Sequence, residues 1–156
     1  MNIRRAENVD IQRILELLSQ VLEVHAKIRP DIFISGTTKY SHDDLAEMLD
    51  DDTKPIFVAL DPDGDVAGYV FCQIREPKAD TMIPRKILYI DDLCVDKKSR
   101  GQHVGKALFE FVKDEAKRLG CYEVTLNVWE GNDSAYKFYN AMGMKPKETH
   151  MEYILQ

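Results

Sequence analysis

Long apolar runs are missing from this chain. No stretch of about 18 apolar residues occurs, which excludes a membrane-spanning helix. No apolar segment follows the two arginines within Met1–Glu7, so no secretory leader is expected. Cysteine is scarce and odd in number: Cys72, Cys94 and Cys121 each sit in an apolar stretch. That pattern favours buried free thiols in a reducing, cytoplasmic setting over a disulfide framework. No CxxC spacing occurs and the histidines are scattered, so no metal site is expected. Basic residues are outnumbered, 21 Lys and Arg against 27 Asp and Glu, for a net charge of −6. A negative field repels phosphate backbones, so a nucleic-acid partner is not expected, whereas a cationic ligand is favoured. No repeat, low-complexity segment or linker interrupts the chain, and 156 residues fit a single domain spanning 1–156.

What is present is a regular alternation of periods. Asn2–Arg5 reads as a short strand. Asp10 is placed to cap a helix with apolar residues at Ile11, Ile14, Leu15, Leu18, Val21 and Leu22, stopped by Pro30. A loop from Phe33 to Tyr40 leads to a short helix, with Ser41 as its cap and Asp43 and Asp44 in its first turn. Ile56–Leu60 and Val66–Ile74 form a hairpin across Asp61-Pro62-Asp63-Gly64, where Pro presets φ and Gly accepts a positive one. Ile87–Val95 is a further strand. Residues 103–119 carry helical spacing through Val104, Leu108, Phe111, Val112 and Leu119. A strand over Tyr122–Val128, a helix over Asn132–Met142 and a last strand over Lys147–Leu155 complete the order β-α-α-β-β-β-α-β-α-β. The fold class expected is α/β (α+β), a mixed, mostly antiparallel central sheet with helices on both faces.

The chemistry concentrates in two segments. The first runs from Tyr89 to Leu108, where a strand ending Leu93-Cys94-Val95-Asp96 meets a basic loop and then an amphipathic helix. The first turn of a helix exposes unpaired N–H groups and partial positive charge, so Arg100-Gly101-Gln102-His103-Val104-Gly105-Lys106 has the makings of an anion cradle. Neither a P-loop GxxxxGK[ST] nor a dinucleotide-binding GxGxxG is present. The second segment is Val128–Met144, in which Asn132 opens a helix carrying Ala135, Phe138, Tyr139 and Met142 before Gly143 closes it.

Together these segments resemble the two signatures of the GNAT superfamily of acyl-CoA N-acyltransferases. The resemblance covers roughly residues 58–144. Arg100 and Gly105 take the outer positions of the motif Q/R-x-x-G-x-G/A, and His103 stands where the middle glycine is usual. The resemblance implies that acetyl-CoA is bound through main-chain N–H groups of residues 100–106, with strand residues Leu93, Cys94 and Val95 and the Asn132 side chain along the pantetheine arm. It implies that Tyr139 protonates the departing thiolate, and that Asp91, or Asp92 beside it, accepts the amine's proton directly or through water. Adjacent strand residues face opposite sides, so only one of the pair reaches the cleft unless a bulge intervenes. A lysine-like amine is neutral in only about one molecule in 2,500 at neutral pH, so a proton acceptor is needed.

His25, Arg29 and Phe33, at the end of the first helix, are candidates to line the acceptor mouth. The acceptor expected is a small-molecule amine. A protein amine, or an idle acyl-CoA-binding module, are the competing readings. Members of the family are often homodimers, and no interface is legible in the sequence.

Overall fold

The computed structural model describes all residues, Met1–Gln156. Its elements are β1 (Asn2–Arg5), α1 (Ile11–Ile28), α2 (His42–Leu49), β2 (Ile56–Leu60), β3 (Val66–Arg75), β4 (Ile87–Val95), α3 (Val104–Arg118), β5 (Glu123–Leu126) and α4 (Asp133–Ala141), with 3₁₀ turns at Asn8–Asp10 and Lys97–Ser99. One five-stranded sheet runs β1-β2-β3-β4-β5. The first four strands are antiparallel, and β5 joins β4 in parallel through the α3 crossover. The mixed sheet expected from the alternation of periods is therefore present, save at its end.

Two cores lie on the two faces. Ile11, Ile14, Leu17 and Leu18 of α1 and Leu45 of α2 pack on Val58, Tyr69, Phe71 and Cys94. On the other face Val104, Leu108, Phe109 and Val112 of α3 cover Val70, Cys72, Leu88 and Ile90, with Phe138 and Tyr139 of α4 alongside. The residues alternate across each strand because successive side chains point to opposite faces. Helix α1 uses the expected stripe with one change: Leu17 is buried, and Leu15 and Val21 only flank the core. The hairpin turn is as expected, with Gly64 at φ +88° donating to Asp61 O at 3.0 Å. Ser41 caps α2, accepting from Asp44 N at 3.1 Å.

Two expectations fail. Asp10 does not cap α1 with its side chain; its carboxylate takes Arg4 at 2.7 and 3.0 Å and the Glu7 N–H at 2.8 Å. The arginine fork is the stronger, charge-assisted partner. The last strand over 147–155 is also absent, since residues 145–156 make no backbone–backbone hydrogen bond. Strand alternation alone makes no strand without a neighbouring ladder.

The end of β4 is tied to α1 by one buried carboxylate. Asp96 accepts from Arg13 and, at 3.3 Å, from Gln20, while Arg13 Nε also donates to Val66 O at 3.2 Å. Burial opposes ionisation of Asp96, but the hydrogen bonds from Gln20 and Arg13 overcome it and hold the carboxyl below its ordinary value. Asp96→Ala is expected to cost roughly 2 kcal/mol, because Arg13 and Gln20 lose their buried acceptor and Arg13 keeps only Glu16 and the Val66 carbonyl. A melting temperature within a degree of wild type would show that the tie is dispensable.

Candidate active site

β5 hydrogen-bonds to β4 only from Ile87 to Ile90, opposite Glu123 to Leu126. Beyond Ile90 the two strands part, and the outer edge of Asp91–Val95 has no neighbouring strand. A cleft therefore opens in the sheet, with β4 on one side and the segment from Asn127 to Asn132 on the other.

At the same point β4 is irregular. Phe71 pairs with Asp92 and Cys72 with Ile90, so Asp91 is an extra residue opposite no partner. This bulge decides which face each of the two carboxylates takes. Tyr69 and Phe71 alternate onto the α1–α2 face, and Asp92, opposite Phe71, shares it. Asp91 Oδ2 accepts from Tyr40 OH at 2.6 Å, and the Tyr40 ring stacks on Phe71 at 5.5 Å. Asp91 thus lies on that face as well. A regular strand puts neighbours on opposite sides, and one inserted residue cancels the alternation.

The two carboxylates have different partners. Asp91 is paired with Lys39 Nζ at 2.9 Å in addition to Tyr40. Asp92 has a neutral donor, Tyr69 OH at 2.6 Å. Burial pushes the Asp92 carboxyl up to about 6, with the Tyr69 hydrogen bond and Lys39 pulling the other way. The Tyr69 and Tyr40 hydroxyls are both raised, chiefly by burial and then by these carboxylates, so both remain donors.

Tyr139 projects from α4 towards the same place. Its ring packs on Phe138 at 5.1 Å and Phe109 at 6.3 Å. Burial, with Asp92 and Cys94 nearby, raises its hydroxyl, which therefore keeps its proton at neutral pH. Asn132 caps α4, its Oδ1 accepting from Ala135 N at 3.3 Å, which leaves the side-chain NH2 available. Cys94 is buried and its thiol is pushed up to about 12 by burial, so it is no nucleophile.

The loop before α3 is shaped as an anion site. The N–H groups from Gly101 through Lys106 donate to no acceptor in the chain; the first helical bond in this turn is Ala107 N to His103 O at 3.0 Å. Such orphaned donors at a helix start attract anions, and Arg100, Gln102 and Lys106 are exposed around them. Nothing lies within 4 Å of a Cβ built at Gly101, so the approach is open. A pyrophosphate fits this donor set. His103 has φ +63° and ψ 22°, the left-handed region, which explains why a glycine is usual there. Gly105 has another role: a Cβ there would meet Phe138 at 3.2 Å, so the missing side chain lets α3 and α4 approach.

His25, Arg29 and Phe33 do come together, around a residue to which the sequence had assigned no role. Phe33 meets His25 at 5.2 Å and Trp129 edge-on at 5.4 Å, and Arg29 lies 5.8 Å from the Trp129 ring centre. Arg29 is already engaged by Asp31 and Glu152, both at 2.7 Å. Burial, then the charge of nearby Lys39, depresses the His25 imidazole. Tyr40, Lys39, Tyr69 and Trp129 are the residues that sequence reasoning missed. Tyr69 sits two residues from Phe71 on a strand facing Asp92, a signal available only once register is known.

A model of the acetyltransferase (GNAT) family matches residues 18–144. The chain belongs to that family, whose members use acetyl-CoA. A mutant form of the BH1408 protein from Bacillus halodurans superposes with a TM-score of 0.95 at 31% identity, over 100% of both chains. Glucosamine 6-phosphate N-acetyltransferase from Arabidopsis thaliana is 33% identical over 97 residues, 53% of this chain and 63% of that enzyme. The enzyme of the same name from Trypanosoma brucei brucei is 28% identical over 155 residues, 99% of this chain and 96% of that one. Over the first two curated relatives the match spans only 54% and 63% of their own length. The aminoglycoside N-acetyltransferase AAC(6')-Iy in complex with CoA shares the fold, with a TM-score of 0.72 at 19% identity over 99% of both chains. No helix is long and apolar enough to cross a membrane.

Two outcomes follow from this geometry. The folded Asp92 carboxyl ionises near 6 against 3.8 for the ordinary group, so the unfolded chain releases its proton first as pH rises. Stability from this residue is therefore full below about pH 4 and lost by about pH 6, roughly 3 kcal/mol in order of magnitude. Asp92→Asn, which still accepts from Tyr69, is expected to be more stable than wild type at about pH 8 and no more stable at about pH 4 in denaturant titrations; equal stability at both would contradict the burial of this charge. His103→Gly is expected to gain about 1 kcal/mol by relieving the left-handed strain, while CoA affinity holds or tightens. A large loss of CoA affinity would assign the imidazole a contact with phosphate.

Proposed function

We propose that this chain acetylates the primary amine of a small molecule, by direct attack on acetyl-CoA with both substrates bound. The reading is supported by the Asp91 bulge, which turns two carboxylates to one face where β5 leaves β4, with Asp92 near enough for its charge to raise the Tyr139 hydroxyl. The bare N–H groups of residues 101–106, flanked by Arg100 and Lys106, hold the pyrophosphate. The open edge of Leu93, Cys94 and Val95 and the Asn132 amide hold the pantetheine arm. Acetyl-CoA supplies the activated acyl group.

Asp91 binds the incoming ammonium in place of the half-exposed Lys39. Asp92 then takes its proton, through an ordered water where it does not reach directly. A carboxyl at about 6 is a better proton acceptor near neutrality than one at its ordinary value. An N–H on the free edge of Leu93–Val95 faces the developing oxyanion. Tyr139 donates to the leaving sulfur, for which a hydroxyl that stays protonated is required.

The acceptor side supports a small amine. His25, Phe33 and Trp129 offer flat apolar faces of the kind that pack on a sugar ring, and the relatives named for their acceptors act on amino sugars or aminoglycosides. Release of free thiol from acetyl-CoA across a panel of glucosamine phosphates, aminoglycosides, polyamines and peptides tests the reading. CoA binding without release for any amine would replace it with an idle binding module, and release for peptides alone would replace it with a protein acetyltransferase.

Tyr139→Phe is expected to lower kcat by about 10- to 100-fold with the KM for acetyl-CoA little changed. An unaltered kcat removes Tyr139 from the mechanism. The wild-type rate should rise with pH through about 6, and Asp92→Asn should abolish that limb. Persistence of the limb in the variant would assign the proton to another group.

A further inference from the structure

The loop between α1 and α2 carries one ammonium into the site. Lys39 Nζ donates to Asp91 Oδ1 at 2.9 Å. The other paired lysines, Lys86, Lys113 and Lys147, meet Glu76, Glu110 and Glu123, and only Lys39 meets a carboxylate of the cleft. The Asp91 side chain is 11% exposed and that of Lys39 is 48% exposed, so the cation reaches a sheltered carboxylate from the solvent side. The ammonium of any substrate bound at Asp91 takes the place that this one holds.

The loop brings Lys39 to that place from two anchors. Glu23 of α1 accepts from Ser35 Oγ and from the Gly36 N–H, both at 2.7 Å. On the other side of Lys39, the Tyr40 ring stacks on Phe71 at 5.5 Å and its hydroxyl donates to Asp91 Oδ2 at 2.6 Å. Ser41 then caps α2. Two residues adjacent in sequence thus hold the two oxygens of one carboxylate. An ion pair with so exposed a lysine contributes less than about 1 kcal/mol, so the side chain leaves and returns readily while its backbone stays in place. A tethered amine of this kind has an effective concentration on the order of millimolar or higher. Burial raises the Asp92 carboxyl and Lys39 pulls it back in part; burial, then Asp92, raises the Tyr139 hydroxyl. The amine therefore stands in one electrostatic cluster with the groups assigned to accept and donate protons.

We propose that Lys39 is a site of self-acetylation: with acetyl-CoA bound and no acceptor on Asp91, the acetyl group passes to Lys39 Nζ of the same chain. Self-acetylation shares the donor and the ammonium seat of the function proposed above, on which it rests, and needs no particular acceptor. The Lys39 nitrogen bonds to the acetyl carbon as the carbon–sulfur bond breaks. Its ammonium gives up two protons: one passes by Asp92 to solvent, and the other balances the proton that Tyr139 gives to the CoA thiol. Nothing is oxidised or reduced. The acetamide formed is uncharged, so Asp91 loses its cation and is left to an incoming ammonium.

Incubation of the full chain with acetyl-CoA alone, read by peptide mass, tests the proposal. A gain of about 42 Da, one acetyl group in place of one hydrogen, is expected on the peptide that carries Lys39. Lys39 is expected to be labelled on the order of 10-fold faster than Lys97, Lys98 and Lys106 beside the anion loop. An unmodified Lys39, or one labelled no faster than those lysines or than Lys39 in the urea-unfolded chain, overturns the proposal. The rate per chain is expected to be independent of protein concentration, and a proportional rise means transfer between molecules and overturns it equally. Free thiol should approach about one per chain and stop, whereas Lys39→Arg, which keeps a cation for Asp91 without an acetylatable amine, should release none. A full equivalent of thiol from the arginine variant sinks self-acetylation. Thiol release to added amines with Lys39 unmodified removes self-acetylation and leaves the proposed function standing. Labelled Lys39 with no added amine accepted upholds self-acetylation and removes the small-molecule acceptor.

Discussion

The site depends on one extra residue in β4. Asp91 has no partner on β3, and it lies at the first position where β5 no longer accompanies β4. Those two irregularities at one place give three consequences. Consecutive acidic residues face the same way, the outer edge of Leu93–Val95 is freed for an extended ligand, and Tyr139 of α4 reaches the gap from the far side. A regular strand in a fully paired sheet would bury that edge and turn one carboxylate into the opposite core. The rest of the sheet serves to keep the irregularity in place. Gly68 on β3 permits this: a Cβ there would meet Cys94 O at 2.7 Å and Val104 and Leu108 of α3 at 3.2 Å. The Asp96–Arg13 tie then fixes where β4 ends and the anion loop begins.

Two neighbouring carboxylates on one face repel, and the protein resolves this by giving them unequal surroundings. Asp91 receives a cation and a phenol; Asp92 receives a phenol and a partly buried place without a cation of its own. Environments that differ in this way assign different tasks to chemically identical groups. A carboxylate whose cation is a half-exposed lysine is suited to exchanging it for another ammonium. One pushed up to about 6 by burial is suited to taking a proton. The tyrosines at 69 and 40 stabilise the charged forms without supplying charge, so they tune the pair without neutralising it.

Much of this was legible in the sequence. Strand and helix periods placed nearly every element, because each amphipathic segment packs a single face. The anion loop and the α4 segment were readable from residues that leave backbone donors bare or open a helix. The bulge was not, since Ile90-Asp91-Asp92-Leu93 alternates no differently from a plain strand and the extra residue exists only relative to β3. Tyr40 and Lys39 were invisible for a related reason: their role comes from a loop crossing 51 or 52 residues of chain to meet Asp91. The 147–155 segment fails in the opposite way. Its alternation is real, but residues 145–156 make no backbone–backbone hydrogen bond, and pattern alone does not supply a ladder.

Charge and shape divide the two substrates between them. The chain carries −6 overall, yet its α3 loop gathers Lys97, Lys98, Arg100 and Lys106 around bare N–H groups. Salt reduces the overall field within about 8 Å of the surface, so at physiological ionic strength an anion at the loop feels mainly those local donors. A cation nearing the mouth feels Asp91 and Asp92 at the same short range. Local charge of opposite sign at the two ends of one cleft favours an anion at one end and a cation at the other. The stretch of β4 between them, Leu93 to Val95, carries no charged side chain.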